Sequence, residues 1–422
     1  MTKTYKHSFL VLITTLVYGV CMGVMAISSQ SIFSVNYLSC LLLALLIGLL
    51  LPIGAFSNCI FLTIPFTAVL KLPFEAFSFI TLMQLLLIVR CILLKKRIVN
   101  LSTFGIIFIV CTLTQLIPML IYNQTFSNII LLSFNVMTFY CVYNLTQSNL
   151  LRVRDAYLSF SLGVVIAGFV SMSYGVHAAE IQDYRFCGLW TDPNFWSMFC
   201  LIGIISCLMV GFQKPLLFVI LVPMIIVLAY YGFMSLSRTF TIICSLMVMV
   251  ISWSYFKRSV WGGFLVIGIL GFGIYYAFPY VIEIFAKRSI DSSDVTNGRL
   301  ENTLLIFDFI GEHWSAMFLG FGYNNILNVM YSLSFGHGAS HNSYMDLFAD
   351  FGLIFDCILF LWFVQKRFVL KQCVSQLASL PGCIFCVILF YMGTLSMLKY
   401  ALLFLFSGTY IGYVAHKRIK QV

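Results

Sequence analysis

Charge is scarce in this chain. Of its 422 residues only 9% are Asp, Glu, Lys or Arg, against about 25% in soluble proteins. A water-soluble globule, a coiled coil and a disordered chain are excluded together. Proline is sparse too, at nine residues, so little interrupts the long apolar runs. No Walker loop, dinucleotide fingerprint, zincin helix or Gly-x-Ser-x-Gly elbow occurs, which leaves an ATP-driven pump without support. Cysteine is plentiful, at fourteen residues, but its arrangement lacks any metal or disulfide pattern. Nearly all of it, including Cys21, Cys40, Cys111, Cys200, Cys244 and Cys357, sits inside apolar runs, where a thiol packs as a small hydrophobe. Cys383 and Cys386 form a C-x-x-C with no second pair, short of the four ligands a structural zinc takes. Only Cys187 falls in a stretch read as an outward loop.

What is present in abundance is hydrophobicity: 61% of residues, with a mean hydropathy of +1.02. This predicts one all-α polytopic membrane domain over 1–422. Membrane helices need about 20 mainly apolar residues. Candidate spans fall at 9–27, 37–51, 58–70, 74–94, 103–122, 127–145, 156–174, 194–211, 214–233, 239–256, 260–281, 343–364, 380–396 and 399–415. That is about fourteen, or twelve if 58–94 forms a re-entrant turn. Lys3 and Lys6 before an apolar run, with Val24-Met25-Ala26 after it, resemble a signal peptide. The segment reads instead as a retained first helix, because its removal breaks the charge parity of the loops. With the N-terminus in the cytoplasm, only seven of the 24 Lys and Arg lie outward: Lys71, Arg185, Arg238, Lys287, Arg288, Arg299 and Lys399. The rest crowd the inner loops, as the positive-inside rule requires. The net charge of +10 therefore implies a membrane orientation and not a nucleic-acid partner. Both termini are placed in the cytoplasm.

Outward polar sequence is concentrated in two segments, a short loop at 175–193 and a large one at 282–342 between the eleventh and twelfth spans. In the second, Asn297 is placed to cap a helix whose Leu300, Leu304, Phe307 and Ile310 recur at helical spacing. This predicts an amphipathic helix on the outer membrane surface. Chemistry is expected on that side.

Few residues there can carry it. Arg238, in Ser237-Arg238-Thr239, reads either as a snorkelling helix-end arginine or as a planar fork for phosphate. Arg299 opens the predicted loop helix, where the helix end already attracts anions; the alternative is an exposed arginine with no special role. His341 opens the twelfth span at the water–membrane boundary, as a general base or as an interfacial capping histidine. Asn342 follows it. Asp346 and Asp350, four residues apart, share a helix face and must look into the bundle or a wet cavity. They are placed to orient a base, pair with an arginine or line that cavity. Before the eighth span stand Arg185 and Asp192-Pro193-Asn194, the latter also a good turn and cap signal.

Four pieces in this order resemble the bacterial O-antigen polymerase and O-antigen ligase superfamily: Asp192-Pro193-Asn194, Ser237-Arg238-Thr239, Asn297-Gly298-Arg299-Leu300 and Ser340-His341-Asn342-Ser343-Tyr344. The last runs on through Met345-Asp346-Leu347-Phe348-Ala349-Asp350-Phe351-Gly352-Leu353 into the following span. The likeness covers roughly residues 185–365; the first 180 residues match only in being hydrophobic. It implies a glycosyltransferase of the bacterial inner membrane with its site facing the periplasm. Donor and acceptor would be oligosaccharides on undecaprenyl diphosphate, with no cofactor and no metal. A chain-length regulator and a flippase would be its companions in surface-polysaccharide synthesis. His341 would take the acceptor hydroxyl proton, and Arg238 and Arg299 would bind the departing diphosphate, with Arg185, Asp192, Asn194, Asn342, Asp346 and Asp350 in support. The His341–Leu353 stretch favours a polymerase over a ligase, whose acceptor would be the lipid A core. A lipid-linked oligosaccharide flippase is the non-enzymatic alternative. It should show two related halves, and no internal repeat is visible.

Overall fold

The computed structural model describes residues 2–72, 78–94, 101–122, 125–177, 185–213, 215–256, 282, 299–332, 342–365, 367–377 and 379–419. The candidate span at 260–281 lies outside them. The helices are α1 (Thr2–Ile27), α2 (Val35–Leu50), α3 (Ile53–Thr63), α4 (Phe79–Leu93), α5 (Leu101–Ile121), α6 (Phe126–Gln147), α7 (Val153–Tyr174), α8 (Pro193–Gln213), α9 (Pro215–Met234) and α10 (Arg238–Phe256). There follow α11 (Arg299–Glu312), α12 (Trp314–Leu319), α13 (Ile326–Ser332), α14 (Ser343–Gln365), α15 (Arg367–Ser375), α16 (Leu380–Met392) and α17 (Ala401–Ile419). No strand occurs among the described residues.

Among the described residues, four stretches are long and apolar enough to cross a membrane: Ser102–Ile121, Phe126–Gln147, Val153–Tyr174 and Pro193–Gly211. Several shorter apolar helices accompany them. Prolines mark the breaks. Pro52 caps α3, and Pro65 lies in the 3₁₀ turn Ile64–Phe66 that ends it. Pro118 and Pro223 are accommodated inside α5 and α9.

The bundle is organised around α8, whose apolar stretch is almost wholly buried. It packs against α7, α9, α10 and α16. The apolar stretch of α5 is mostly exposed, which puts that helix at the edge. Val219, Ile220, Leu120 and Leu50 are exposed, an outer surface suited to hydrocarbon and not to water. Inside, Phe406 of α17 meets Phe61, Tyr157 and Phe160 from α3 and α7 at centroid distances of 5.2, 5.1 and 5.1 Å. A side chain at Gly163 would stand 2.3 Å from the Leu62 carbonyl, so the α3–α7 crossing needs glycine there.

Two departures from the sequence pattern shape the region of α11 to α14. First, α11 begins at Arg299 as expected, but it buries Ile306, Phe309 and Ile310 in a satellite core with Phe321, Ile326, Met330 and Ala349. Leu304 and Phe307 stay exposed, so the expected apolar face is divided between this core and the outside. Second, α14 is broken at Gly352, which adopts φ 72° and ψ 172°. A Cβ on Gly352 would lie 2.5 Å from the backbone nitrogen of Gly320, and one on Gly320 would lie 2.3 Å from the Asp350 carbonyl oxygen. Two glycines thus let the chain after α12 cross the break in α14 backbone against backbone.

Candidate functional site

The first cluster forms where the loop before α8 meets the turn between α9 and α10. Asp192 caps α8: its Oδ1 accepts the Asn194 N–H at 2.7 Å and its carbonyl accepts the Trp196 N–H at 3.3 Å. Pro193, which has no N–H to satisfy, starts the helix. Asn194 is then turned so that its Oδ1 accepts the Ser237 hydroxyl at 3.1 Å. The turn itself is tight, with Leu236 at φ 55°, a conformation costing a non-glycine residue about 1 kcal/mol. It is held from the other side by two bonds. Arg185 Nε donates to the Ser235 carbonyl at 3.1 Å, and the Phe186 N–H donates to Met234 at 3.0 Å. Arg238 follows as the first residue of α10, half-buried, while Arg185 is only 7% exposed.

Two guanidiniums therefore flank one turn at the positive end of a 19-residue helix, a setting suited to an anion such as a diphosphate. The loop's remaining side chains fix it to the bundle. Trp190 Nε1 donates to the Pro65 carbonyl at 3.0 Å, and its ring packs on Phe195, Phe199 and Tyr400. Burial pushes the Cys187 thiol up to about 11, with Arg185 pulling it down and Asp192 pushing it further up.

The second cluster lies where α14 begins. Asn342 caps it, its Oδ1 accepting the N–H groups of Tyr344 and Met345 at 3.0 and 3.4 Å. Ser343 ties that turn to the segment leaving α16: its hydroxyl donates to the Leu395 carbonyl and accepts the Met397 N–H at 2.7 Å. Farther along, the carbonyls of Ala349 and Asp350, freed by the Gly352 break, accept the N–H groups of Phe321 and Gly322 at 2.8 and 3.1 Å. Asp350 Oδ2 accepts the Asn324 N–H at 3.0 Å. Asn324, Ile326, Asp346, Asp350, Ser396, Leu398 and Lys399 line a common cavity.

A buried polar chain fastens this cluster to the bundle. Gln84 Nε2 donates to Asn135 Oδ1 at 2.9 Å, Asn135 Nδ2 to the Tyr323 hydroxyl at 3.1 Å, and that hydroxyl to the Leu398 carbonyl at 2.6 Å. Gln115 Oε1 accepts the Tyr323 N–H at 2.6 Å. The two clusters meet along the segment before α17. Lys399 Nζ sits 5.4 Å from the centre of the Tyr400 ring, which packs on Trp190 and Phe195.

Of the residues singled out from sequence, Arg185, Asp192, Asn194 and Arg238 come together at one turn, and Asp346 and Asp350 come together at one cavity. Asn342 is an N-cap. His341 lies outside the described residues, as does the side chain of Arg299, whose backbone opens α11. His313 is structural: its Nδ1 lies 2.8 Å from the Phe309 carbonyl and its ring lies against Phe309 and Phe321. Sequence reasoning missed Lys399, Asn324, Tyr323 and the Gln84–Asn135–Gln115 group. A signal for the last existed, since isolated amides in apolar spans are costly unless they have partners. Comparison with protein-family models finds no match, and comparison with curated proteins finds none either.

Proposed function

We propose that this chain is an O-antigen polymerase, or polymerase of a related surface polysaccharide, joining undecaprenyl-diphosphate-linked repeat units on the periplasmic face of a bacterial inner membrane. The observation that carries the reading is the meeting of Arg185, Asp192, Asn194 and Arg238 at the α9–α10 turn. Two of the four segments that resemble the polymerase and ligase superfamily are hydrogen-bonded to each other there through Asn194 and Ser237. In this reading Arg185 and Arg238, with Arg299, hold the donor diphosphate. His341 takes the proton from the acceptor hydroxyl. The acceptor oxygen bonds to the anomeric carbon as the bond from that carbon to the phosphate oxygen breaks, and undecaprenyl diphosphate leaves. Negative charge builds on the leaving group, and fixed guanidiniums in a water-poor site stabilise it without a metal. The topology that goes with it has about fourteen spans, both termini in the cytoplasm, and the 282–342 segment in the periplasm.

The test is reconstitution. The purified chain in lipid vesicles, given undecaprenyl-diphosphate-linked repeat units, is expected to make a ladder of longer glycans and free undecaprenyl diphosphate, with EDTA leaving the rate unchanged. Units that remain single would rule the activity out, and loss of the ladder in EDTA would rule out the metal-free mechanism.

A further inference from the structure

The cavity at the start of α14 has a lining that the diphosphate chemistry does not use. Its volume is about 30 Å³, room for about two water-sized groups. Its polar wall contains two carboxylates, Asp346 and Asp350, the ammonium of Lys399, and Asn324 and Ser396; Ile326 and Leu398 supply apolar surface. Asp350 is 2% exposed. One of its oxygens takes the Asn324 N–H, while Oδ1 is buried without a hydrogen-bond partner. A buried carboxylate oxygen left so costs about 1–3 kcal/mol, which a donor entering the cavity would recover.

The lining selects what that donor is. The carboxylate of Asp346 repels a phosphate, and the ammonium of Lys399 opposes a metal cation. Hydroxyl groups suit both: each donates to a carboxylate and accepts from an ammonium. We propose that this cavity is a subsite for two neighbouring hydroxyls of the acceptor glycan's terminal sugar, with Asp350 and Lys399 as its determinants. The inference rests on the glycosyltransferase reading above and names where that enzyme recognises its acceptor.

The probe is the repeat-unit oligosaccharide released from its lipid, which lacks the leaving diphosphate and so can serve only as acceptor. Its binding to the full-length chain in lipid nanodiscs is measured by calorimetry, beside that of undecaprenyl diphosphate alone. Asp350→Asn keeps an oxygen for the Asn324 N–H, and Lys399→Gln alters a half-exposed residue. Each is expected to weaken oligosaccharide binding about tenfold or more, the worth of a hydrogen bond to a charged group. Undecaprenyl diphosphate binding should stay within about twofold, less than the loss of one such bond. Wild-type affinity for the oligosaccharide in both variants overturns the subsite. So does a wild-type chain that polymerises lipid-linked units without binding the free oligosaccharide. A wild-type chain that neither polymerises nor binds overturns the glycosyltransferase reading together with it.

Discussion

Arg238 and Arg185 differ in what they do for the same turn. Arg185 is buried and spends its Nε on the Ser235 carbonyl, whereas Arg238 stands at the opening of α10 and is more exposed. In the proposed mechanism, Arg238→Lys keeps the charge but loses the planar fork. It is expected to cut polymer formation by about a hundredfold at normal protein level; near-wild-type ladders would reduce Arg238 to a membrane anchor. Arg185→Lys should lose activity and also lower expression, since the turn loses its tie. Cys187 offers a test that is independent of function. A buried thiol held up to about 11 carries little thiolate at neutral pH. Maleimide at pH 7.5 should leave Cys187 unmodified in the folded chain, as read by peptide mass mapping. Labelling should rise about tenfold per pH unit while the pH stays below that value, following the thiolate fraction. Rapid labelling at pH 7.5 would place Cys187 in open water instead.

Among the elements, the crossing of α14 with the chain after α12 controls how α11 to α14 pack. Gly352 holds a backbone conformation that other residues rarely adopt, and its Cβ would strike the backbone of Gly320. Gly352→Ala should therefore cost about 3 kcal/mol or more, seen as a lower melting temperature and loss of protein from the membrane fraction. Unchanged stability would mean that the break is not needed. Asn135→Ala removes the middle of the Gln84–Asn135–Tyr323 chain and should cost about 1–2 kcal/mol. Much at this scale was legible beforehand. Among the described residues the apolar runs became helices, and Asp192 became a cap, because those signals are local; the cap at Asn342 was not read from the sequence, which offered His341 in that place. The break at Gly352 was not legible, since a lone glycine in a helical pattern is tolerated and its partner Gly320 stands in another element. Lys399 escaped for a similar reason: it looks like an ordinary basic residue at a span's end, and only the return of the chain from α16 sets it beside Asp350. The amphipathic pattern of α11 was half legible, because the sequence does not reveal the satellite core that claims Ile310.

At the scale of the molecule, the asymmetry of basic residues and the placement of both polar clusters near the ends of helices argue for one chemically active face. Reporter fusions at either terminus should read as cytoplasmic, and a fusion within 299–332 should read as periplasmic; the reverse pattern would overturn the orientation. The two clusters touch through Lys399, Tyr400 and Trp190, so a donor held at the arginines and an acceptor held at Asp350 would lie on neighbouring walls of that face. The most direct measurement is the surface-glycan ladder of cells lacking this gene, with an extract of undecaprenyl-linked glycans run beside it. A polymerase predicts core bearing a single repeat unit and no ladder, with the ladder restored by the wild-type gene and not by His341→Ala. Long polymer retained on undecaprenyl over bare core would mean a ligase, and single units trapped on the cytoplasmic face would mean a flippase; either result would contradict polymerisation by this chain.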